Sequence, residues 1–147
     1  MFDKTITIFN RYHSRQGDTW YPHVIHNVQL TMDKASMVAK YGAESKDSAS
    51  LIINTSNDMS IDGIAYLPPK KWSQLVNEEL GEYITLNDNA LYFDFFIVGE
   101  YPDKTPIVDD EYTDGFYNHM NLENDYVYAI TSVASYTLIP HFEVLAK

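Results

Sequence analysis

Two stretches near the start of this chain alternate apolar and polar residues with a period of two. That period belongs to a half-buried β-strand, whose successive side chains leave opposite faces. In residues 4–12, Ile6 and Ile8 fall on one face and Thr5, Thr7 and Phe9 on the other. Residues 20–32 resume the alternation: Trp20, Pro22, Val24, His26, Val28, Leu30 and Met32 take the even positions, and the odd ones are mostly polar. The loop between the two runs contains Gly17-Asp18, so the pattern predicts an N-terminal β-hairpin. Pro22 has no N–H for a ladder and predicts an edge or a bulge.

The remainder reads as more short strands. Residues 33–48 are mixed and polar, an exposed loop or flap with room for a helical turn. Residues 49–55 and 64–67 are short strands, the second stopped by Pro68-Pro69. Residues 71–79 place Trp72, Leu75 and Val76 on one helical face, predicting a single amphipathic helix ended by Gly81. Residues 83–86 and 91–98, around Asn87-Asp88-Asn89, read as a second hairpin. Residues 102–125 are the least strand-like, and 126–133 with 136–145 form a closing pair of strands. The total is about seven or eight strands with long loops and at most one or two short helices. With no linker and no internal repeat, residues 1–147 are expected to form one mainly-β domain, a small barrel or sandwich.

Charge limits the partners. Residues 73–147 carry fourteen of the 21 Asp and Glu, while most Lys and Arg lie earlier, and the net charge is −11. Gripping phosphates needs clustered Lys and Arg, so specific nucleic-acid binding is not expected. A cationic partner, or a surface past which a polyanion slides, is compatible. Hydrophobic residues at 45% and aromatic residues at 14% exclude a disordered chain. Zero cysteines exclude disulfides and thiolate chemistry. No stretch approaches the run of about eighteen apolar residues that spans a bilayer, and the N-terminus lacks a signal-peptide pattern. The chain is expected in a cytoplasm, or in a particle assembled there.

Candidate chemistry is sparse. His23 and His26 would share a face on a helix, but an odd offset separates them on a strand. Asp109, Asp110, Glu111 and Asp114 offer oxygens for Ca²⁺ without the spacing or glycine of an EF-hand loop, and read as a solvated acidic segment. Ser132 or Ser135 with His141 lacks the context of a nucleophile elbow, and no glycine-rich phosphate loop occurs. No catalytic residue, metal or cofactor is assigned, and the chain is not expected to be an enzyme. Much of the aromatic content (Tyr92, Phe93, Phe95, Phe96, Tyr126, Tyr128) alternates within strands and reads as packing. Trp20, Tyr21, Tyr112, Phe116 and Tyr117 are read as exposed, and large rings with few rotors suit interfaces. The predicted protein interface is therefore Asp109, Asp110, Glu111, Tyr112, Asp114, Phe116 and Tyr117. On this reading residues 109–125 form a docking loop whose deletion leaves the monomer folded.

Residues 4–30, KTITIFNRYHSRQGDTWYPHVIHNVQL, and 47–55, DSASLIINT, resemble the opening of small proteins of phages and prophages of Gram-positive bacteria. Those begin with an ITIFNKY strand, a polar turn, a W-Y-x-x-V-I-x-x-V strand and an S-A-x-L-x-I strand. The closing YAITSVASYTLIPHFEVLAK, residues 128–147, is similar to their end. Such proteins are described as minor capsid or head–tail connector proteins. The resemblance implies a structural part of the phage neck and supplies no catalytic residues. With a strand-rich chain, it points to a stopper-like subunit that assembles as a ring beneath the portal, with portal, adaptor or tail-completion proteins as partners. It places the chain in the host bacterial cytoplasm during assembly and then in the virion. The alternatives are another minor capsid or tail-completion component, and a β-sandwich carbohydrate- or ligand-binding module stacking sugars on Trp20, Tyr21 and Phe116.

Overall fold

The computed structural model describes residues 1–33 and 48–147. The flap read from residues 33–48 lies almost wholly outside the described residues. Strands β1 (Lys4–Ser14) and β2 (Gly17–Asp33) form the expected N-terminal hairpin, and β3 is Ser48–Asn54. After β4 (Ser60–Ile61) and β5 (Ile64–Tyr66) come two single-turn helices, α1 (Pro69–Trp72) and α2 (Asn77–Leu80). Then follow β6 (Tyr83–Ile84), β7 (Phe95–Val98), β8 (Ile107–Val108), a 3₁₀ turn (Asp109–Glu111) and helix α3 (Phe116–Glu123). The chain closes with β9 (Val127–Tyr136) and β10 (His141–Ala146).

Six of these strands pair in the order β1-β7-β9-β10-β3-β2, and β2 pairs back onto β1, all antiparallel. Closure removes the free edges that an open sheet would expose. The expected mainly-β barrel is thus the fold. The extra strand β8 joins the outer flank of β2 at Thr19 and Trp20, and β4, β5 and β6 make a separate small sheet. Pro22 lies where β2 pairs only with β1, between the β8 and β3 contacts, which is the edge its missing N–H requires.

Two apolar clusters share the barrel wall. Ile6, Ile8, Ile25, Val28, Leu51, Ile53, Phe96, Ile130, Phe142 and Val144 belong to one. Phe9, Trp20, Phe95, Ile97, Ile107, Phe116, Met120 and Val127 belong to the other. β1 therefore buries both faces, Ile6 and Ile8 in the first cluster and Phe9 in the second, as its alternation predicts. Strand β7 does the same, which is why FFIV is a continuous apolar run.

The expected face of β2 needs correcting. Tyr21, His23 and Ile25, at odd positions, are buried, and burial then passes to Val28. The switch falls at Asn27, which has φ 59°, and the β1–β2 register slips between Lys4 and Ile6. One extra residue in a bulge exchanges the two faces of everything beyond it. Asn is among the few residues that tolerate this backbone region.

Two other expectations fail for a shared reason: side-chain groups take backbone partners. The single helix of residues 71–79 is instead two short ones, with Val76 extended between them and 64% exposed. The buried Trp72 Nε1–H donates to the carbonyls of Leu80 and Tyr83, both at 3.1 Å, and folds the chain back on itself. Gly81 does end the second helix. The expected hairpin of 83–98 is absent, because β6 pairs in parallel with β5. Asn10 occupies the neighbouring stretch: its Nδ2 donates to Thr85 O at 2.7 Å and its Oδ1 accepts from Thr85 N at 3.2 Å. The described residues also hold three helices rather than one or two.

Asn27→Val places a β-branched side chain at positive φ. It should lower stability by about 1–2 kcal/mol, read as a lower urea midpoint, whereas Asn27→Gly should leave that midpoint nearly unchanged.

Candidate functional site

The predicted interface segment is a cap built onto the barrel wall, with Asp110, Glu111 and Asp114 turned outward. Phe116 anchors it. Its ring is fully buried, with centroids 5.1 Å from Phe9, 5.9 Å from Phe95 and 5.1 Å from Tyr112. Asp109 fixes the entry to α3: its Oδ1 accepts from Trp20 Nε1 at 2.8 Å and from the backbone N–H of Phe116 at 2.9 Å. A carboxylate there satisfies an otherwise orphaned first-turn donor. Gly115, at φ 88°, makes the turn into the helix.

Of the seven predicted interface residues, Asp110, Glu111 and Asp114 are exposed, while Asp109, Tyr112 and Tyr117 are half-buried. Tyr117 packs edge-on against Phe93 and Phe95 at 4.9 and 5.0 Å. Phe116 is core, not surface, because α3 buries it together with Met120. Trp20 and Tyr21 are also buried, at 0% and 7% exposure. The three rings assigned to sugar stacking are therefore not exposed faces. Removing residues 109–125 would take Phe116 and Met120 out of the second cluster, so the deletion is expected to destabilise the monomer rather than leave it intact.

Sequence reading missed two features. One is Asp94, fully buried. Its Oδ1 accepts from Arg11 N, and its Oδ2 from Asn87 N and Asn10 Nδ2, each at 2.9 Å. Burial pushes its carboxyl up to about 8, against the pull of those N–H donors. Nothing in a lone Asp before FFIV marks it as interior. The other is a groove of about 660 Å³ between Arg11 and His13 on β1, Pro68, Pro69 and Lys70 at the start of α1, and the 87–92 loop. Asp18 holds its basic wall, 2.6 Å from Arg11 Nε and 2.7 Å from His13 Nδ1, and the His13 ring stacks on Tyr92 at 4.1 Å. These residues are far apart in sequence, so only the Asn-rich turn gave any signal.

The histidine pair separates as expected. His23 is buried, and desolvation lowers its imidazole to about 4, whereas the exposed His26 meets Asp62 at 2.9 Å. His141 faces the Ile139 carbonyl and Glu143 rather than a serine. Among the described residues, no group of three or more His, Asp or Glu is arranged to hold a metal ion, and no helix is long and apolar enough to cross a membrane.

All of residues 1–147 match the family described as "Family of unknown function (DUF6751)". No curated protein and no solved structure matches the chain.

Phe116→Ala should cost about 3–5 kcal/mol in chemical denaturation. Combined Asp110→Asn, Glu111→Gln and Asp114→Asn should stay within about 0.5 kcal/mol per site, since those side chains are exposed. The two buried ionisable groups set a pH profile. Asp94, raised in the folded state, contributes stability that is lost as pH rises from its ordinary range toward 8. His23, lowered in the folded state, contributes stability that is lost as pH falls from 6.5 toward 4. Their slopes oppose each other between about pH 4 and 6.5; above that the Asp94 slope remains, and the exposed His141, raised by the Ile139 carbonyl and Glu143, adds a smaller decline of the same sign. Unfolding free energies from urea titration should therefore decline from pH 6.5 to 8 by an amount on the order of 1–2 kcal/mol, and Asp94→Asn should remove most of that decline.

Proposed function

The chain belongs to the family of unknown function DUF6751, which assigns no activity, and we propose for it a structural role in the neck of a phage or prophage particle. On this reading it is a stopper-like head–tail connector subunit, acting by assembly beneath the portal. The observation that carries the proposal is where the phage-protein resemblance falls. Its three segments, residues 4–30, 47–55 and 128–147, contain nearly all of β1 and β2 and essentially the whole of β3, β9 and β10. Five of the six barrel strands thus lie in the stretches that resemble those proteins, while the cap and the small sheet lie between them.

The cap supports a docking role. Asp110, Glu111 and Asp114 stand exposed on a segment that Phe116 and Asp109 hold rigid, so little ordering cost opposes a contact there. An acidic rim steers a basic partner and repels duplex DNA passing nearby. A position elsewhere in the particle, as a minor capsid or tail-completion component, would use the same surface.

The test is native mass by light scattering of the chain mixed with the proteins encoded beside its gene. A stable complex is expected, weakened by salt, with the Asp110→Asn, Glu111→Gln and Asp114→Asn variant binding at least tenfold more weakly. No complex with any neighbouring product would overturn the connector reading.

A further inference from the structure

The 87–92 loop has no regular secondary structure, yet its own asparagines pin it. Asn87 Nδ2 donates to the Tyr92 carbonyl at 3.0 Å, and Asn87 Oδ1 accepts from Asn89 N at 3.1 Å. Asn89 Oδ1 accepts from Leu91 N at 2.8 Å and from Tyr92 N at 3.1 Å. Asn87 N donates to the buried Asp94 carboxyl, which ties the loop to the barrel wall. The groove that this loop shares with β1 and the start of α1 holds about 660 Å³, inside the range of ~300–1,000 Å³ that small-molecule sites occupy. A wall ordered in advance loses little freedom when a ligand arrives.

The lining narrows the class of ligand. His13 and Tyr92, both exposed, stack at 4.1 Å, and Pro68 and Pro69 add C–H surface, so the ligand must offer a compact apolar face. Charge selects a neutral molecule: Asp18 meets Arg11 at 2.6 Å, and Asp88 offsets Lys70. Neither an anion nor a cation gains net attraction there. The free hydrogen-bonding groups are of both kinds. The Asp88 carboxylate only accepts, Lys70 Nζ and Asn89 Nδ2 only donate, and none of the three has a partner among the described residues. A hydroxyl does both, so several neighbouring hydroxyls would satisfy all three at once.

We propose that this groove binds a neutral saccharide. A pyranose ring meets both demands, with a face of C–H groups for the aromatic pair and a rim of hydroxyls for the polar groups. Its C–H face lies on the His13–Tyr92 stack, while its hydroxyls donate to Asp88 and accept from Lys70 and Asn89. This is not the stacking surface expected from the sequence, since Trp20, Tyr21 and Phe116 are buried. The site uses none of the cap carboxylates and stands independently of the connector reading.

The experiment is a titration of the isotope-labelled chain with neutral glycosides, followed by amide NMR. The probes are the methyl glycosides of glucose, galactose, mannose and N-acetylglucosamine, with maltotriose and chitotriose as short chains. At least one should produce saturable shifts at millimolar concentration, confined to residues 11–13, 68–73 and 87–92. Lys70→Ala and Asp88→Ala should each weaken that binding by about three- to tenfold, and Tyr92→Ala by about tenfold or more. Leu122→Glu, at an 85%-exposed α3 position outside the groove, should bind like the wild type. Lys70 and Asp88 are exposed, and an unchanged urea midpoint verifies both folds. Equal affinity for single sugars and trisaccharides supports a site for a free sugar or a chain end. Tighter binding of a trisaccharide supports a site for an extended polysaccharide. No saturable shift with any of these probes overturns the inference, as do groove shifts produced only by glucuronic acid or by a proline-rich peptide. Saccharide binding by a chain that joins no neighbouring gene product would leave it standing and remove the connector reading alone.

Discussion

Asp94 sits where four parts of the chain meet, and its surroundings decide how they meet. Its carboxyl takes N–H groups from Asn10, Arg11 and Asn87, and its backbone carbonyl takes the N–H of Ile130 at 2.9 Å. Asn10, held by this carboxyl, pairs in turn with both backbone groups of Thr85. Each partner left unmatched in this interior would cost about 1–3 kcal/mol, so the network favours one arrangement strongly over near alternatives. It anchors β1, the approach to β7, the 85–87 segment and β9 to one another. It also accounts for the missing second hairpin, since residues 85–87 find their partners here rather than across a turn.

Around that junction the barrel wall is covered on both sides. One cluster fills the interior, and the other lies between the wall and the cap formed by α3, the 3₁₀ turn and β8. The Phe116 ring links the cap to Phe9, Phe95 and Trp20, and Asp109 ties the same elements by hydrogen bonds. The most acidic segment of the chain is thereby fixed in place. Its anchoring residues face inward and its remaining carboxylates face water.

Several parts of this were legible in residue order. Ile6, Ile8 and Phe9 fell on the faces their alternation assigned, Pro22 lay where β2 has β1 as its one partner, and the closing strands formed a hairpin. The misreadings were local patterns that distant groups overrode. Asn27 shifted the phase of β2 through one positive φ, which no apolar count registers. Trp72 broke a plausible helix by spending its indole N–H on Leu80 and Tyr83. Phe116 looked exposed because its neighbours are acidic, yet its own side chain points opposite to theirs.

Sequence alone determined the strand-rich class, the positions of most barrel strands and the acidic bias, because the period of two and the sign of charge are properties of near neighbours. Tertiary structure decided which face of β2 turns inward, which aromatic rings are core, and which carboxylate lies buried among amide donors. Those outcomes depend on which strands become neighbours when the barrel closes, and that pairing joins residues scores of positions apart, beyond the reach of any local pattern.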